Sequence, residues 1–147
     1  MRILVVSDSH GNSEALDKLL KMYPSMDLYL HAGDLEADEQ SIRPFDCVKG
    51  NCDHFSSLPE RRIIRTPYGN LFMTHIPYLP EDIKKEYKIK IFIHGHIHKR
   101  KLQKDGDGMY IINPGSISFA KDGHDLSYAI LTITPDDVSV EFKTLLD

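Results

Sequence analysis

An α/β fold of two packed sheets is predicted by three observations. The first third of the chain alternates strand-like and helix-like segments. The rest reads as antiparallel hairpins with one more helix. No linker, repeat or low-complexity segment interrupts them. "RILVVS" (Arg2 to Ser7) is a short apolar run rich in β-branched residues, the pattern of a strand buried on both faces. After "DSHGN", the stretch "SEALDKLLKMY" puts Leu16, Leu19, Leu20 and Tyr23 on one helical face, with Asn12 or Ser13 available as N-cap. "MDLYLHAGD" predicts a second strand stopping at Gly33-Asp34, "DEQSIRPF" a short helix ending before Pro44, and "DCVKGNCD" a third strand stopping at Gly50. "RRIIRTPYGNLFMTHI" alternates about Tyr68-Gly69-Asn70 and predicts a hairpin. "LPEDIKKEY" predicts a helix with Pro80 near its first turn, and "IKIFIHGH" a further strand. Two more hairpins turn at "DGDG" and "PDD". In the last strand Val138, Val140 and Phe142 alternate with Ser139, Glu141 and Lys143, which predicts one buried face.

The totals narrow the function classes. The 147 residues suit one domain spanning 1–147. A net charge of −4 argues against stable nucleic-acid binding. The apolar runs are far shorter than the roughly 20 residues of a membrane span. The N-terminal run meets Asp8 too early for a signal-peptide core, so a cytoplasmic location is expected. Cys47 and Cys52 are then expected to be free thiols, and their spacing is not a zinc motif.

Position carries the functional signal. Predicted strands end in Asp8-Ser9-His10, in Gly33-Asp34, in Gly50-Asn51-Cys52-Asp53, in Thr74-His75 and in His94-Gly95-His96-Ile97-His98. In open α/β sheets, sites form outside the carboxyl ends of strands, so these ends predict one convergent site. Each residue alone also has an ordinary reading. Asp8 and Asp34 could cap helices, His10 could be a surface histidine, Asn51 could hold a turn, and His75 could be a hydrogen-bonded core residue. His96 and His98, on one face of a regular strand, make a ready chelate. His94 and His31 read as supporting or wall residues, Asp53 as a residue that orients its turn, and His124 as a solvated turn residue. The mixed oxygen and nitrogen donors suit Mn²⁺, Fe²⁺, Zn²⁺ or Ni²⁺ better than Ca²⁺. Seven candidate ligands exceed one tetrahedral site. Two ions sharing a carboxylate, roughly 3.5–4 Å apart, would use them economically.

The ordered motifs "DSH … GD … GNCD … TH … GHIH", with "INPGS" (Ile112 to Ser116), resemble the calcineurin-like metallophosphoesterases, and among them the small YfcE-type phosphodiesterases. The resemblance runs from Arg2 to about Ser118. It implies a sandwich of two central mixed sheets with helices outside. It also implies two divalent transition-metal ions per chain, Mn²⁺ first, with Ni²⁺, Fe²⁺ or Zn²⁺ as alternatives. Asp8, His10 and His98 would hold one ion, Asn51, His75 and His96 the other, and Asp34 would bridge them. Asn51, Asp34 and His75 would act through the metals and by positioning phosphate. The implied reaction is hydrolysis of small phosphodiesters or nucleotides by in-line attack of a metal-bridging hydroxide. Many members have histidine after the asparagine, where this chain has Cys52, a poor proton donor to a leaving alkoxide. Cys52 and His54 are therefore the open candidates for assisting the leaving group. The continuation "THIPY" also departs from the family pattern and predicts an altered loop on the substrate side.

Two other readings compete. A non-catalytic interaction scaffold resembling the family's retromer subunit would depart from the full ligand set, which here is complete. A nuclease would sit poorly with the acidic net charge. The basic run "HKRKLQK" reads either as a solvated edge strand or as a rim that steers phosphate. The sequence leaves homo-oligomerisation open.

Overall fold

The β-branched run at the N-terminus is covered on both faces, and the other elements are arranged around it. The computed structural model describes residues 1–54, 56–119 and 125–145. In it, β1 (Arg2–Val6) pairs in parallel with β2 (Leu28–His31), which pairs in parallel with β3 (Phe45–Cys47). On its other side β1 runs antiparallel to β9 (Ser127–Ile133), itself paired with the edge strand β10 (Val138–Thr144). The second sheet holds β4 (Arg61–Thr66), β5 (Gly69–Thr74), β6 (Ile89–Ile93), β7 (Arg100–Lys104) and β8 (Tyr110–Pro114) in the order β4-β5-β6-β8-β7. Both sheets are mixed, because β5, β6 and β8 pair in parallel while the β4 and β7 edges are antiparallel.

Alternation along β1 explains its unbroken apolar sequence. Ile3 and Val5 pack with Leu71, Met73, Ile91, Ile93 and Ile112 in the core between the sheets. Leu4 and Val6 face outward against Leu16 and Leu19 of α1 (Ser13–Met22). Burying each of those leucines contributes about 1.5–3 kcal/mol. On the far side, α2 (Glu81–Glu86) and the chain before it lay Ile83 and Leu79 on Phe72, Ile89 and Phe92 of the second sheet. The sandwich with helices outside is therefore the observed architecture.

Several local expectations are refined. Asn12 caps α1 through its side chain, and Asp38 caps the 3₁₀ turn Glu39–Ile42, which replaces the short helix expected there. Asp8 and Asp34 are thus left free of capping. Both cysteines are free. β7 is an edge strand, as its lysines suggested. Strand β6 stops at Ile93 instead of running through the histidines. His96 and His98 adopt φ 73° and 61°, a left-handed backbone that a pleated strand cannot contain. His124 lies outside the described residues.

Candidate metal centre

The carboxyl ends of β1, β2, β3, β5 and β6 deliver polar residues to one place. The loop after β1 brings Asp8 and His10, the chain after β2 brings Asp34, and the turn after β3 brings Asn51. The chain ends after β5 and β6 add His75, His96 and His98. His98 Nε2 lies 3.2 Å from Asp8 Oδ1 and 3.5 Å from His10 Nε2. His75 Nε2 lies 3.2 Å from Asp34 Oδ2 and 2.9 Å from Asn51 Oδ1. His96 Nδ1 lies 3.1 Å from Asn51 Oδ1 and 3.3 Å from His75 Nε2. Asp34 Oδ2 sits between the two groups, 3.8 Å from His10 Nε2 on its other side. All seven residues singled out in the sequence thus converge. His96 and His98 reach the site by loop geometry, not as neighbours on a strand face.

The histidine tautomers decide what this arrangement can hold. His75 Nδ1 faces the Ala32 carbonyl at 2.8 Å, His98 Nδ1 the Phe119 carbonyl at 2.7 Å, and His10 Nδ1 the Glu36 carboxylate at 2.9 Å. In the neutral ring each of these acceptors favours the proton on Nδ1, which leaves Nε2 as a lone pair aimed inward. The inward side is already lined with carboxylate and amide oxygens. Asp8 Oδ1 is buried there and accepts no hydrogen bond among the described residues. Acceptors facing acceptors around a buried orphan oxygen fit a cation. Ligand atoms of Asp8, His10 and His98, and likewise of Asp8, Asp34 and His75, lie within 4.8 Å of one another.

The electrostatics follow from burial and neighbours. Burial raises the Asp8 pKa above its ordinary 3.8, against the pull of the Ser7 hydroxyl and of His75 and His98. Burial also pushes Asp34 upward, but His75, the Cys52 backbone N–H and the charge of His10 outweigh it and hold Asp34 well below the usual carboxylate range. Burial opposes a charged His75. The adjacent Asp34 and Asp8 carboxylates and the Ala32 carbonyl outweigh it, so its pKa rises above 6.5.

Further hydrogen bonds hold the candidate ligands in place. The Ser7 hydroxyl donates to Asp8 Oδ2 at 2.5 Å, as does His96 N at 3.1 Å, while the Ser116 and Ser118 hydroxyls hold the Asp8 carbonyl. Asp53 accepts from Asp34 N, Gly50 N and Glu36 N at 2.9, 2.8 and 2.7 Å, which ties two ligand-bearing loops together and matches its expected orienting role. His31 is buried between Ser9 Oγ and Gly33 N. His94 is buried against Phe92 with Nδ1 facing the Gly95 carbonyl, and it belongs to neither ligand group. Five of the seven ligand candidates, Asp8, His10, Asp34, His96 and His98, have positive φ. Such conformations cost about 1–3 kcal/mol each and cluster at functional sites. Sequence reasoning missed Glu36 and the Phe119 carbonyl. Glu36 carried a signal as the acid two residues after Asp34, whereas a backbone carbonyl leaves none. Two clefts flank the Asn51 turn. One of about 490 Å³ is lined by Asn51, His54 and His75, and another of about 640 Å³ by Glu36, Cys52 and His54.

The two-sheet sandwich gathers nitrogen and oxygen donors at one edge, an arrangement that could hold metal ions. Residues 1–136 match the calcineurin-like phosphoesterase superfamily domain, and the chain belongs to that superfamily. Among curated relatives, it is 31% identical to the probable metallophosphoesterase YsnB of Bacillus subtilis, over 97% of this chain and 90% of that protein. It is 24% identical to the phosphodiesterase YfcE of Escherichia coli, over 89% and 87%. Among solved structures, a conserved Streptococcus pneumoniae protein described as a predicted phosphoesterase superposes with a TM-score of 0.86 at 28% identity, covering 98% of this chain and 89% of that one. A single-substitution variant of Vps29 from Entamoeba histolytica gives 0.76 at 26% identity, covering 100% and 94%. No helix among the described residues is long and apolar enough to cross a membrane.

Proposed function

We propose that this chain is a phosphodiesterase dependent on two divalent cations and acting on small phosphodiesters or nucleotides. Asp8, His10 and His98 would hold one cation, Asn51, His75 and His96 the other, and Asp34 would be shared. The observation that carries this reading is the acceptor-lined centre with Asp8 Oδ1 buried and, among the described residues, without a hydrogen-bond partner. When bound, the cations would supply Lewis-acid activation of water and neutralise charge on the phosphoryl oxygens. The chain's own part is positioning. Carbonyls and a carboxylate fix the three histidine rings, and the Asp53 carboxylate fixes the loops that carry Asp34 and Asn51. The Cys52 thiol is a weak acid here, because burial and the Asp34 and Glu36 charges raise its pKa above the ordinary 9.0. His54, which lines both clefts, is the remaining candidate to serve the leaving group.

Reconstituting stripped protein separately with Mn²⁺, Ni²⁺, Zn²⁺ and Mg²⁺ tests the proposal. Aryl diesters should be cleaved much faster than alkyl diesters, since the thiol donates a proton poorly, and His96→Ala should abolish both activities. Activity that survives in His96→Ala would refute the site. No hydrolysis with any cation would favour the scaffold reading that the likeness to Vps29 keeps in view.

Protons compete with cations at His75. Because its pKa is raised, cation affinity should begin to fall above pH 6.5 as the solution is acidified, earlier than an ordinary histidine would give. In stripped protein the sign reverses. Protonated His75 contributes stability below pH 6.5, and this is lost as pH rises through the raised value. Calorimetric cation titrations across the neutral range measure the first effect, and a pH-independent affinity would rule out ligation by His75.

A further inference from the structure

His10 has two ends, and only one faces the cluster described above. Its Nε2 is 3.5 Å from His98 Nε2, whereas its Nδ1 is 2.9 Å from Glu36 Oε2. Ligand atoms of His10, Glu36 and Cys52 lie within 4.8 Å of one another. The three residues come from the loops after β1, β2 and β3, and backbone anchors set their spacing. Glu36 N donates to Asp53 Oδ1 at 2.7 Å, Cys52 N to Asp34 Oδ1 at 2.8 Å, and Glu36 is held at φ 52°. The Glu36 side chain is 40% exposed, and the cleft of about 640 Å³ opens on both Glu36 and Cys52, so solutes can reach the trio.

We propose that His10, Glu36 and Cys52 form a third cation site, selective for a thiophilic divalent ion of the zinc class. Imidazole, carboxylate and thiolate together favour such an ion over Mn²⁺ or Mg²⁺. Binding breaks the Cys52 S–H bond and releases that proton to solvent, and the sulfur lone pair forms the new bond to the ion. A neutral imidazole has one free lone pair. His10 therefore serves either the inner cluster through Nε2 or the outer trio through Nδ1, and an ion on the trio draws it from the inner cluster. This antagonism rests on His10 as a ligand in the function proposed above, whereas binding to the trio does not.

The test titrates Mn²⁺-loaded full-length protein with Cd²⁺ and follows two signals together: the ultraviolet thiolate-to-cadmium charge-transfer band and diester hydrolysis. Cadmium entering the inner cluster gives no such band, because no cysteine is among those ligands. Cys47 is fully buried, and burial pushes its thiol pKa up, so it does not compete. One band per chain should grow as hydrolysis falls. Cys52→Ser and Cys52→Ala should both lose the band, and the activity they retain should no longer follow cadmium. Glu36→Gln removes a carboxylate from the trio and should weaken cadmium binding by at least about tenfold, the lower end of what an orienting partner is worth. A missing band in the unaltered chain, or a full band in both Cys52 variants, overturns the site. A band with unchanged hydrolysis overturns the antagonism. If the chain hydrolyses no diester at all, the proposed activity fails while the band still decides the third site.

Discussion

Replacing Asp34 with asparagine is expected to lower diester hydrolysis by more than roughly a hundredfold. Partners that merely orient ligands are worth about 10–100-fold, and a carboxylate set between both ligand groups should cost more. The substitution is nearly isosteric, so the side-chain oxygen can still accept from Cys52 N, now 2.8 Å from Oδ1. The amide nitrogen would replace Oδ2, 3.2 Å from His75 Nε2, and would point a donor at a lone pair otherwise left for a cation. The variant should therefore fold and hold less metal. Its stability carries a second signature. Asp34 has a depressed pKa, so its carboxylate contributes stability above the ordinary 3.8 that is lost as pH falls through the folded value. Stripped Asp34→Asn should unfold at lower temperature than stripped parent protein at neutral pH, with the gap closing in acid below 3.8. Steady-state kinetics, metal analysis and thermal melts check the three parts. A variant with full activity and full metal content would remove Asp34 from the centre.

Gly95→Ala should be nearly as damaging, although residue 95 has no side chain to contribute. A Cβ there would lie 2.0 Å from Ser7 Oγ and 2.8 Å from Asp8 Oδ2. The backbone cannot easily yield, because Gly95 N donates to the His75 carbonyl at 2.9 Å and Gly95 O accepts from Asn113 Nδ2 at 3.2 Å. Ser7 and Asp8 must move instead, which breaks the 2.5 Å hydrogen bond that orients the Asp8 carboxylate. Overpacking of this kind costs about 1–3 kcal/mol. The expected result is a lower melting temperature together with weakened metal loading. Gly106→Ala, where a Cβ meets nothing within 4 Å, is the matched control. Equal behaviour of the two variants would show that the close approach at Gly95 does not position Asp8.

The sequence made the elements legible where periodicity was strong. The buried first strand, the α1 face and the three hairpins stand as their patterns predict. The candidate centre was legible because metal-binding residue types recur at strand ends, and seven of those residues come together, although His94 stays apart. For His96 and His98 the spacing misleads about the backbone that carries them. Alternate spacing suggested a shared strand face, yet left-handed backbone at both residues turns them toward the centre from a loop. Such conformations are unfavourable for histidine and are imposed by tertiary structure, so local pattern does not announce them. The contacts that set tautomers were hidden for a related reason. Ala32 and Phe119 act through carbonyl oxygens, which every residue possesses.

The ligand candidates come from both sheets. Asp8, His10, Asp34 and Asn51 follow strands of the first, and His75, His96 and His98 follow strands of the second. Cations held there would cross-link the two layers at one edge, as a clasp does. Such a clasp can close only after the layers have docked, late in folding. Interactions absent from the folding transition state leave the folding rate unchanged and slow unfolding. Metal occupancy would then lengthen the lifetime of the native state more than it hastens its formation.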